Sequence, residues 1–81
     1  MEDATPDERD VMSRHFEYLK RALDEGVLVL AGPATDGRFP GIVVFEAPDE
    51  ATAREFMEAD PAVRLGVMVA ELHPFRVALR R

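Results

Sequence analysis

His15 and Asp60 are the residues of this chain best suited to proton chemistry. An imidazole titrates near neutral pH, so it can take or give a proton without large cost. His15 stands among apolar residues of a helical stretch, and Asp60 ends a second helix at an Asp-Pro step. A helical histidine and a helix-terminating aspartate outline a small acid/base pocket, and positioned groups of this kind contribute on the order of 10²–10⁴-fold in rate. Each residue also has a plainer role. His15 can be a core-edge histidine satisfied by a backbone carbonyl. Asp60 can be a turn residue whose carboxylate bonds nearby N–H groups.

Other chemistries fit less well. His15 and His73 are the only histidines, lie on different elements and have no metal-ligand spacing. Ser13 stands two residues before His15, hence on another helix face, which argues against a Ser-His nucleophile. The glycines between Gly32 and Gly41 match neither a phosphate loop nor a dinucleotide fingerprint. Arg14, Arg54 and Arg64 could hold an anionic substrate, and surface ion pairing explains them equally well.

The elements that must position His15 and Asp60 are readable from local signals. Thr5-Pro6-Asp7-Glu8 predicts a helix start with a capping box. Met12, Phe16, Leu19 and Leu23 recur at helical spacing as one apolar stripe, with His15 at its border, and Gly26 stops a helix over about residues 6 to 25. Val27 to Ala31 and Ile42 to Phe45 predict two strands of a hairpin around a glycine- and proline-punctuated loop. Asp49 caps a second helix whose inward face is Ala53, Phe56 and Met57, and Asp60-Pro61 ends it. Val67 to Leu72 reads as a last strand, bent at His73-Pro74 and resuming from Phe75 to Leu79. Helix, strand, strand, helix, strand gives an α+β sandwich, two helices on one face of a mainly antiparallel sheet.

Eighty-one residues make a single domain, near the size where one core is only marginally sufficient. With no cysteine, no disulfide can compensate, so a homodimer is expected. The acidic first residues lack the apolar run of a signal peptide, and no stretch approaches a membrane span, so a soluble cytoplasmic protein is expected, away from membranes. A net charge of −6 repels nucleic acid, and Arg76, Arg80 and Arg81 read as solvated charge on a tail.

With those elements placed, the chain resembles the YCII-related (YciI-like) family of the dimeric α+β barrel superfamily. The resemblance rests on His15 followed by Tyr18-Leu19, Gly26-Val27-Leu28 leading to Ala31-Gly32-Pro33, and Asp36-Gly37. The strand Ile42 to Phe45, Ala53-Arg54, Asp60-Pro61, Val63, Gly66-Val67 and Pro74-Phe75 complete it. It implies a ferredoxin-like sandwich of βαββαβ order. Only four residues precede Thr5 here, too few and too polar for the usual first strand, central in that sheet, so its absence is expected. Truncation, altered pairing of the last strand, and strand exchange between subunits each answer that gap.

The resemblance also implies a His-Asp pair in the pocket, His15 as general base or acid and Asp60 as its orienter. Asp36 is the competing carboxylate, because the Gly32 to Gly41 loop can fold over the same cleft; the plain Asp-Gly turn is the favoured reading of that residue. Some relatives are lyases that eliminate HCl from chlorinated hydroxylated aromatics, so proton abstraction on a small organic substrate is the implied chemistry, with no cofactor. A non-catalytic small-molecule-binding or interaction module is the alternative. A cofactor-free monooxygenase, known elsewhere in the superfamily, is the weaker one, since the residues it depends on are not found here.

Overall fold

The computed structural model describes residues 6–36 and 41–81. The chain runs α1 (Pro6–Asp24), β1 (Leu28–Pro33), β2 (Gly41–Phe45), α2 (Glu50–Ala59) and a short α3 (Pro61–Arg64). The predicted Thr5 cap and the tip of the hairpin loop fall outside the described residues.

Helix α1 carries Asp7 and Glu8 in its first turn, which suits the helix dipole, while Arg21 in its last turn is offset by Asp24. It stops in a Schellman arrangement. Gly26 takes φ 81°, its N–H donates to the Leu23 carbonyl, and the Val27 N–H donates to the Ala22 carbonyl. The same device ends α3, with Gly66 at φ 78° and the Val67 N–H donating to the Ala62 carbonyl.

The hairpin is antiparallel, Leu28 opposite Phe45 and Leu30 opposite Val44. That count leaves Val29 as an extra residue, a bulge at the point where the hairpin leaves the helices. Asp49 caps α2 as expected, its carboxylate accepting from the Thr52 N–H at 2.7 Å. Hydrogen bonding to the backbone of Thr52, and then to its side chain, holds the Asp49 carboxyl below its ordinary range.

Leu19, Ala22 and Leu28 form the core, with Tyr18, Val27, Phe45 and Phe56 packed against it, and Ala62 is fully buried where α3 meets α1 and α2. Phe56 stacks on Tyr18 at 5.1 Å and tilts against Phe45 at 4.4 Å, joining α1, α2 and β2.

Two expectations are corrected. The stripe Met12, Phe16, Leu19, Leu23 is not the buried face, because Met12, Phe16 and Leu23 are exposed. The inward face is Val11, His15, Tyr18, Leu19 and Ala22, so His15 lies within it rather than at its border. Two polar anchors set this rotation, His15 to Asp60 and Tyr18 to the Phe56 carbonyl. Second, the segment 67–81 is not a strand. Among the described residues the sheet has two strands, and none from Val69 to Arg81 makes a backbone–backbone hydrogen bond. A strand exists only where a neighbour accepts its hydrogen bonds, and no strand before α1 stands among the described residues to do so. The α+β class holds; the fuller ferredoxin-like sheet does not form within these residues.

Candidate functional site

The site is built at the junction of α2 and α3. Proline disfavours helical geometry in the residue before it, so Asp60 adopts φ −60° and ψ 125° and breaks one helix into two. Asp60 thereby closes α2, its N–H donating to the Met57 carbonyl, and caps α3, its Oδ1 accepting from the Ala62 N–H at 2.9 Å. Its other oxygen, Oδ2, accepts from His15 Nδ1 at 2.6 Å. The two side chains are 16% and 9% exposed. Both carboxylate oxygens are therefore occupied, and no buried side-chain polar atom among the described residues lacks a partner.

The carboxylate accepts only, so the neutral imidazole must carry its proton on Nδ1 and leave Nε2 bare. Among the described residues nothing hydrogen-bonds to His15 Nε2. A ring nitrogen left free by a fixed tautomer is the one positioned to accept a proton.

Tyr18, one turn along α1 from His15, completes the frame. Its hydroxyl donates to the Phe56 carbonyl at 2.8 Å and ties α1 to the last turn of α2, four residues before Asp60. Burial first, and then the negative charge of Asp60, push the Tyr18 hydroxyl above its ordinary pKa. The hydroxyl stays a donor at neutral pH. Proton chemistry alone would not single out Tyr18; its i+3 spacing from His15 on the inward face is the signal that could have done so.

Asp36, exposed in the loop after β1, makes no hydrogen bond to His15. Arg14 pairs with Asp10 at 3.2 Å and Arg54 with Glu50 at 3.3 Å, both as exposed i,i+4 contacts on their own helices. Exposed His73 donates from Nε2 to Glu71 at 3.3 Å, far along the chain from the site. An open groove lined by Ser13, Arg14, Glu17, Tyr18, Arg21 and Pro61 runs along α1 beside the His15–Asp60 contact without including either residue. Among the described residues no three His, Cys, Asp or Glu side chains are grouped as a metal ion would require, and no helix is long and apolar enough to cross a membrane.

Comparison with curated proteins and with solved structures finds no match. The family model of the YCII-related domain matches residues 1–76, nearly the whole chain. His15, Asp60 and Tyr18 all lie inside the matched stretch, and the chain belongs to the YCII-related domain family.

Proposed function

We infer that this protein is an acid/base catalyst acting on a small organic molecule, with His15 as the general base and Asp60 as the residue that orients it. The single observation carrying this reading is the 2.6 Å contact from His15 Nδ1 to Asp60 Oδ2, made by a carboxylate whose other oxygen is pinned by the Ala62 N–H. A carboxylate held at both oxygens cannot turn away, so the imidazole keeps one orientation and one tautomer. His15 Nε2 then takes a proton from a carbon or hydroxyl of the substrate. The electron pair left behind expels a leaving group such as chloride, or the proton returns elsewhere for an isomerisation. The chain's own groups suffice for either step, and no cofactor is required. The groove along α1, lined in part by Tyr18 and Pro61, offers a place for a small molecule.

One observation favours the second reading, a binding module without catalysis. The groove does not include His15 or Asp60, whose side chains are largely covered. In that case the contact is a structural clasp between α1 and α3.

Incubation in D₂O with a panel of chlorinated hydroxyaromatics and small hydroxy and keto acids, followed by NMR and chloride release, separates the two. Catalysis predicts exchange or elimination that His15→Gln abolishes and Asp60→Asn lowers on the order of 10²–10⁴-fold. Binding without exchange, or turnover indifferent to His15→Gln, overturns it.

A further inference from the structure

Helices α1 and α2 do not meet backbone to backbone: among the described residues no Cα of one lies within 8 Å of a Cα of the other. Tyr18 spans the gap. Its ring stacks on Phe56 with centroids 5.1 Å apart, and its hydroxyl donates to the Phe56 carbonyl at 2.8 Å.

That carbonyl is available because of the break at Asp60-Pro61. In a continuing helix it would accept from the Asp60 N–H, but Asp60 has left helical geometry and donates to the Met57 carbonyl instead. The break that turns the Asp60 carboxylate toward His15 therefore also leaves the Phe56 carbonyl to Tyr18.

The two contacts are successive rungs between α1 and the end of α2. Three residues forward on α1, from His15 to Tyr18, match four residues back, from Asp60 to Phe56. Each step is about one helical turn, so both side chains leave the same face of α1. One rung alone leaves α1 able to turn about its own axis, and its sequence favours such a turn. Met12, Phe16, Leu19 and Leu23 form an apolar stripe roughly a quarter turn from the inward face. The present setting leaves Met12, Phe16 and Leu23 exposed, and rotation that covered them would carry His15 away from Asp60. The acceptor of the Tyr18 bond is backbone and cannot swing as a side chain can, so this rung resists the rotation directly.

We propose that Tyr18 is a positioning residue of the acid/base pair: its bond to the Phe56 carbonyl locks the rotation of α1 that presents His15 Nδ1 to Asp60. This rests on the acid/base reading, in which His15 is held as the Nδ1–H tautomer. Tyr18 acts through His15 and does not itself move a proton.

The test reads the His15 ring of the full chain by long-range ¹H–¹⁵N correlation. Four proteins are compared: the wild type, Tyr18→Phe, Tyr18→Phe combined with Phe16→Gln and Leu23→Gln, and Asp49→Ala. The last weakens α2 at its far end and controls for loss of stability alone. Tyr18→Phe keeps the ring and should lower the ratio of Nδ1–H to Nε2–H roughly fivefold. Replacing Phe16 and Leu23 removes the competing stripe and should restore the ratio. Asp49→Ala should keep the wild-type ratio. A wild-type ratio in Tyr18→Phe overturns the proposal and leaves the His15–Asp60 pair standing. A ratio lowered as much in Asp49→Ala, or not restored by the two glutamines, reduces Tyr18 to general stability and also overturns it. A wild-type ring protonated on Nε2 overturns the acid/base reading itself, and the proposal with it.

Discussion

Asp60 holds His15 with one carboxylate oxygen and caps α3 with the other, at 2.6 and 2.9 Å. The two roles can be separated by substitution. Asp60→Ala loses both bonds, and a cap together with a part-buried bond to a charged group is worth about 2–4 kcal/mol. Asp60→Asn keeps an acceptor for the Ala62 N–H and should cost clearly less. Urea denaturation of the two variants checks this; equal losses would mean that the cap contributes nothing.

Tyr18 bridges α1 to the Phe56 carbonyl, so Tyr18→Phe should cost about 1 kcal/mol while leaving the ring packing intact. The hydroxyl's pKa is raised in the folded chain, so its contribution is full below the unfolded value and is lost as pH rises through the folded one. Wild-type stability should therefore fall above about pH 10. That component should be missing from Tyr18→Phe in parallel denaturation curves.

Asp49 behaves with the opposite sign. Its folded pKa is depressed by the Thr52 contacts, so its contribution is present above the unfolded value and lost as pH falls through the folded one. Asp49→Asn retains a capping acceptor but cannot titrate, so its stability should depend less on pH below about 4. Helicity followed by circular dichroism during acid titration measures the difference.

Phe56 is the half-buried centre of the aromatic group joining α1, α2 and β2. Phe56→Ala should cost about 2–3 kcal/mol, somewhat less than a fully buried phenylalanine. It should also broaden the His15 ring resonances, since α2 carries Asp60 at its end. Sharp, unshifted His15 signals in that variant would show that the site does not depend on this packing.

Features determined by a few neighbouring residues were legible in the sequence. The Asp49 cap, the Gly26 stop and the break at Asp60-Pro61 each follow from one residue's backbone chemistry, and each is present. The hairpin was legible too, because its strands are continuous apolar runs between turns. The rotation of α1 was not. Met12, Phe16 and Leu23 outweigh His15 and Tyr18 in any hydrophobic pattern, yet two hydrogen bonds turn the polar pair inward. The alternation of residues 67–79 was legible as strand propensity, but whether a propensity becomes a strand depends on a neighbour, which no local pattern contains. Asp60 and Asp36 stayed open as partners of His15 because contacts across long sequence separations leave no local trace.

The central claim is that Asp60 holds His15 with Nδ1 protonated and Nε2 free as the base. Long-range ¹H–¹⁵N correlation of the imidazoles, in the wild type and in Asp60→Asn with His73 as reference, tests it most directly. The neutral wild-type ring should be the Nδ1–H tautomer. In Asp60→Asn the amide oxygen is kept by the Ala62 N–H and the amide NH₂ faces the ring, so the proton should move to Nε2. A wild-type ring protonated on Nε2, or a tautomer indifferent to the substitution, would contradict the account.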